Sequence, residues 1–134
     1  MDDQRVDREG GGSMSPEYAQ QILHSATWDN NGAFLLLRLG EDPGRDRIAE
    51  VRRAIFELWL HWKDKPALPF ELVHDAAHIL RMAPEAVSNL RSGGSVVRPD
   101  IFTDLARLED AAYCFLIGPY GEHTWGRNGE QWIP

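Results

Sequence analysis

The sequence predicts an all-α fold: a single compact bundle of five or six helices. Three observations carry that reading. Apolar residues recur three and four apart in successive stretches, which is the helical period. Clusters of Pro, Gly, Asp and Asn punctuate the chain between those stretches, where helices must stop. A length of 134 residues with 43% hydrophobic content suits one domain around one core.

Residues 1–14 end in Gly10-Gly11-Gly12-Ser13 and have almost no apolar content, so a disordered tail is expected there. Residues 15–134 form the helical domain. Ser15-Pro16-Glu17 is a helix start: a capping hydroxyl, a proline at the first position and an acid in the first turn. Tyr18, Ala19, Ile22, Leu23 and Ala26 form the stripe of this helix, and Asp29-Asn30-Asn31-Gly32 ends it. Ala33 to Leu39 is apolar throughout, and its leucine content and helical surroundings favour another helix. Asp42-Pro43-Gly44 is a turn. Arg45 to Lys63 carries the strongest pattern, with Ile48, Val51, Ile55, Leu58 and Trp62 adjoined by Ala54, Phe56 and Trp59. A stripe that wide predicts the central core helix, built around Ile55, Leu58 and Trp59. Arg45, Arg47, Arg52 and Arg53 interleave with Asp46, Glu50 and Glu57, the pattern of a solvated face.

Lys65-Pro66-Ala67-Leu68-Pro69 breaks the chain. The stretch from about 70 to 92 then divides into a run with Val73, Ala76, Ala77 and Leu80, a break at Arg81-Met82-Ala83-Pro84, and a run with Val87 and Leu90. Pro84 lacks a backbone N–H and suits the first turn of a new helix. The spacing predicts two short helices crossing at Ala77, a helix-turn-helix. Ser92-Gly93-Gly94-Ser95 is a loop, and Val96-Val97 a short extended piece. Pro99-Asp100 opens a last helix to Ile117, with Ile101, Phe102, Leu105, Leu108, Ala112 and Phe115 inward. Gly118-Pro119 stops it. The irregular tail 118–134 holds two of the five tryptophans, Trp125 and Trp132, which are expected to dock back onto the core.

The stretch AAHILRMAPEAVSNL, at 76–90, resembles the turn of LysR-type helix-turn-helix regulators. LRSGG followed by an apolar helix and a late QWIP more loosely resembles Xre-type antitoxins. The first resemblance implies that the second helix enters a major groove. Glu85, Ser88, Asn89, Arg91 and Ser92 would then face bases, and His74, His78 and Arg81 would approach phosphates. Two positions depart from the family: Arg81 stands where it has a positive-φ Gly, and Ala83 where it has a capping Ser or Thr.

His74-Asp75-Ala76-Ala77-His78 resembles the HExxH pentad of zinc metallopeptidases, in which two histidines four apart share a metal. Asp75 is one methylene shorter than the Glu that polarises the metal-bound water there, and a third ligand is found only among Glu109, Asp110 and His123 further along. No metal, cofactor or catalytic residue is therefore expected. The glycine clusters lack the context of a phosphate loop, and the serines lack a nucleophile elbow.

A formal charge of −7 argues against nonspecific coating of nucleic acid, although residues 45–65 hold six basic residues against four acidic ones. The lone Cys114 excludes an intramolecular disulfide and is expected to be a buried, inert thiol. The acidic start has no signal-peptide pattern, and Phe34–Leu39 is too short to cross a bilayer, so a cytoplasmic location is expected. The leading expectation is a small, non-catalytic, homodimeric regulator or antitoxin-like adaptor acting on double-stranded DNA. The alternative is a helical module that binds a protein partner and no DNA, favoured by the negative charge and the tryptophans. A metalloenzyme built on the HDAAH pentad ranks third.

Overall fold

A computed structural model describes residues 14–93 and 96–117 of the chain, and these are all-helical or loop, with no strand among them. Four long helices and one short one follow in order: α1 Pro16–Trp28, α2 Ala33–Arg38, α3 Arg45–Trp62, α4 Phe70–Ser92 and α5 Ile101–Ile117. The expectations for residues 1–13, for Gly94-Ser95 and for the tail 118–134 fall outside the described residues.

α1 begins as its sequence dictates: the Ser15 hydroxyl accepts the Tyr18 N–H at 3.1 Å, with Pro16 in the first turn. The chain then turns sharply at Gly32, where a Cβ would lie 2.3 Å from the Ser25 carbonyl oxygen, so only glycine fits. The turn before α3 is closed by Asp42, whose carboxylate accepts the Gly44 N–H at 2.8 Å. Gly44 itself sits at φ 101°, a conformation side-chain-bearing residues rarely adopt.

α3 is the core helix its stripe predicts. Ile48, Val51, Ala54, Ile55, Leu58 and Trp59 are buried, and Trp62 is half-buried. Glu57 departs from the solvated face expected of it: it is buried, and Arg53 one turn earlier donates to it at 2.7 Å. Burial of that carboxylate needs this partner.

The main correction concerns 70–92. The expected helix-turn-helix is not there: α4 is one helix of 23 residues running straight through Pro84. Its buried stripe explains why. Leu72, Asp75, Ala76, Ile79, Met82, Ala83, Ala86 and Leu90 repeat three and four apart with no change of phase across the proline. Burying each large apolar member stabilises by about 1.5–3 kcal/mol, so together they outweigh the roughly 3 kcal/mol cost of an interior proline. Pro84 faces solvent, where the Leu80 carbonyl that it leaves unpaired can turn to water. Ala77, placed at a helix crossing by the sequence pattern, is exposed, and Arg81 has an ordinary helical φ.

α5 packs along both α3 and α4. At its start, Arg98 clamps the α2–α3 loop to the helix, donating to Asp42 at 2.6 Å and to Asp104 at 2.7 Å, while Arg45 pairs with Asp100. At its end, Phe115 lines the same groove as Trp59 and Trp62. The starts of α3 and α5 therefore lie together and so do their ends, which makes the two helices parallel and α4 the antiparallel connection. Cys114 is buried, as its apolar neighbours predicted. Val96 is fully exposed and forms no strand.

Candidate functional site

Where α1 ends against the first half of α4, six side chains form one cluster. Asp75 occupies a core position of the α4 stripe, with only 2% of its surface exposed. A buried carboxylate must be hydrogen-bonded, and this one is bonded twice by α1. The Trp28 indole Nε1–H donates to its Oδ1 at 2.8 Å, and His24 Nδ1 donates to its Oδ2 at 3.1 Å. His24 and Trp28 are four apart, so one face of α1 delivers both donors.

Trp28 stays 46% exposed despite this anchoring. Its ring lies nearly flat across the two imidazoles of α4, with centroids 4.6 Å from His78 and 5.6 Å from His74. Phe70, one turn before His74 and 75% exposed, extends the aromatic surface at 5.8 Å from that imidazole. The pentad thus splits by facing: Asp75 points inward, while His74 and His78 present their rings outward to an indole. Burial lowers the His78 pKa below its ordinary value, and the Arg81 and His74 charges lower it further.

This geometry differs from a zinc pentad. The acid is spent on Trp28 and His24, and among the described residues no group of three or more His, Cys, Asp or Glu side chains is arranged to hold a metal ion.

Glu85, Ser88, Asn89, Arg91 and Ser92, assigned to bases by the resemblance, are all exposed on the second half of α4. Glu85 lies 3.7 Å from Arg81, and Ser92 Oγ donates to the Ser88 carbonyl at 2.9 Å. The Arg91 guanidinium sits over the Phe102 ring at 4.8 Å, which turns it toward α5. Because α4 is continuous, these residues lie roughly 16–27 Å along the helix from His74, at ~1.5 Å per residue. The structure brings His74 and His78 together on Trp28 and leaves Arg81 outside the cluster. Trp28, His24 and Phe70 were not singled out by the sequence. The available signal was Asp75: on the α4 phase it is a charge at a core position, which demands a donor from another element.

The chain matches no protein-family model, no curated protein and no solved structure.

Proposed function

We propose that the chain is a non-catalytic helical interaction module that engages a protein partner through the Trp28–Phe70–His74–His78 surface. The observation that carries this reading is an exposed tryptophan held in one orientation from behind. Tryptophan is among the residues most enriched at binding hot spots, and anchoring the side chain beforehand removes the ordering cost that binding otherwise incurs. Trp28 is fixed by the hydrogen bond to Asp75 and by the imidazoles it covers, and Phe70 adds apolar area beside it. The negative charge supports the same reading, since it gives no general attraction to phosphate. The regulator reading also required a break within 70–92 to send a separate second helix into a groove, and α4 runs unbroken.

The test places a photo-reactive amino acid at Phe70 and, as a control, at the exposed Thr103 on α5, in cells that make the chain. One defined adduct is expected at position 70 and none at 103. Trp28→Ala should remove that adduct and weaken the purified complex about 30-fold or more, the loss typical of a hot spot of ~2 kcal/mol. Identical adducts at both positions would refute the assignment of this surface. A single enriched motif in a random-sequence DNA selection, lost in Asn89→Ala and Arg91→Ala, would restore the regulator.

A further inference from the structure

The charges around Trp28 select the chemistry that can settle on it. The last turn of α1 with its cap, together with Phe70 to Glu85 of α4, carries Asp29, Glu71, Asp75 and Glu85 against a single guanidinium, Arg81. Glu85 lies 3.7 Å from that guanidinium and offsets it. The lysines just before α4 are held elsewhere, Lys63 over the Trp59 ring and Lys65 over the Trp62 ring. His78, the imidazole closest to the indole, adds no positive charge at neutral pH, because burial and the Arg81 and His74 charges lower its pKa. The surface is therefore aromatic and locally acidic.

The ring itself is prepared for a cation. An aromatic face is the negative part of the ring's quadrupole, and tryptophan offers the strongest such face. The Trp28 N–H donates to a carboxylate, the buried Asp75, and a hydrogen bond to an anion pushes electron density onto the indole. His74 and His78 support the ring, while its exposed part faces solvent. Phe70 flanks the same His74 imidazole, and the exposed Glu71 follows it in the chain.

We propose that the partner docks through a basic segment, with an arginine laid on the Trp28 indole and gripped by the carboxylates beside it, Asp29 from the end of α1 and Glu71 from the start of α4. This rests on the partner surface assigned above and names the chemistry that surface takes. Arginine fits better than lysine, because its planar guanidinium stacks on an aromatic face while its N–H fork grips a carboxylate. The net charge of −7 also draws a basic segment toward the chain before contact.

The experiment selects a random peptide library on the purified full chain and measures binding of the enriched peptides at low and high salt. Enriched peptides should carry arginine. Glutamine in its place should weaken binding about tenfold, and lysine should recover only part of the loss. Trp28→Ala should abolish binding while circular dichroism shows a folded chain. Glu71→Lys, a change at an exposed position, should weaken binding about fivefold and reduce its salt dependence, which keeps the test decisive if Trp28→Ala unfolds. Peptides that need Trp28 but are acidic or wholly apolar overturn the proposal and leave the docking surface standing. Peptides that bind a folded Trp28→Ala chain as tightly as the parent overturn both. A selection that enriches nothing overturns the basic-segment proposal, and the adduct at position 70 then decides the surface alone.

Discussion

Replacing Pro84 by alanine is the sharpest test of the continuous α4. Proline inside a helix removes one backbone hydrogen bond and crowds the carbonyl four residues back, at about 3 kcal/mol relative to alanine. Here the lost partner is the Leu80 carbonyl, and Pro84 is exposed, so water recovers part of that cost. Pro84→Ala should therefore stabilise the chain by about 1–3 kcal/mol. At roughly 4 °C per kcal/mol for a domain of this size, Tm rises by about 4–12 °C. The assay is thermal and urea unfolding followed by far-UV circular dichroism, with an unchanged denaturant slope showing that the folded state is otherwise the same. If Pro84 instead opened a second helix, its ring would be favoured there, and alanine would be neutral or cost up to ~1 kcal/mol. Arg81→Gly is the complementary arm. It costs about 1 kcal/mol in an unbroken helix but stabilises a turn that wants positive φ. Loss of stability in Pro84→Ala together with a gain in Arg81→Gly would refute the single-helix account.

Asp75→Ala should cost about 2–3 kcal/mol, since it strips the acceptor from both Trp28 and His24; unfolding curves give the loss, and a changed Trp28 emission shows its site. Gly32→Ala should destabilise by about 1–3 kcal/mol although its φ suits alanine, because the new methyl meets the Ser25 carbonyl; a Tm within error of the parent would contradict the close approach. His78 has its folded pKa below the ordinary value of 6.5, so the unfolded chain binds the proton first as pH falls. Its contribution is whole above about pH 6.5 and is lost as pH drops through the window between the unfolded and folded values. Urea unfolding at neutral and mildly acidic pH checks this: His78→Gln should show a smaller acid loss than the parent, and an equal or larger loss would count against it.

Local signals made most of the fold legible. The cap at Ser15 and the wide stripe of α3 are written in neighbouring residues, and the structure follows them nearly to the residue. The reading of α4 failed because two local signals were weighted above one longer one. Val73, Ala77 and Leu80 suggested an inward face that lies partly in solvent, and Pro84 suggested a stop. The stripe from Leu72 through Ile79, Met82 and Ala86 to Leu90 keeps its phase across the proline, and packing along that whole length decided the outcome. The candidate site was illegible for a different reason. Trp28 and Asp75 are 47 residues apart, His24 and Asp75 are 51 apart, and no local period reports a pairing across two helices. Only the charge standing in a core phase pointed to it.

The single Cys114, sealed between α5 and its neighbours, gives the protein a built-in clock for its own opening. A thiol reagent cannot reach a side chain only 3% exposed, so modification must wait until the packing around α5 opens. With no second thiol to compete, the labelling rate under native conditions counts those openings directly. Its urea dependence then separates small local openings from global ones. A protein that lets its helices part only by unfolding completely will label at the rate its global stability sets.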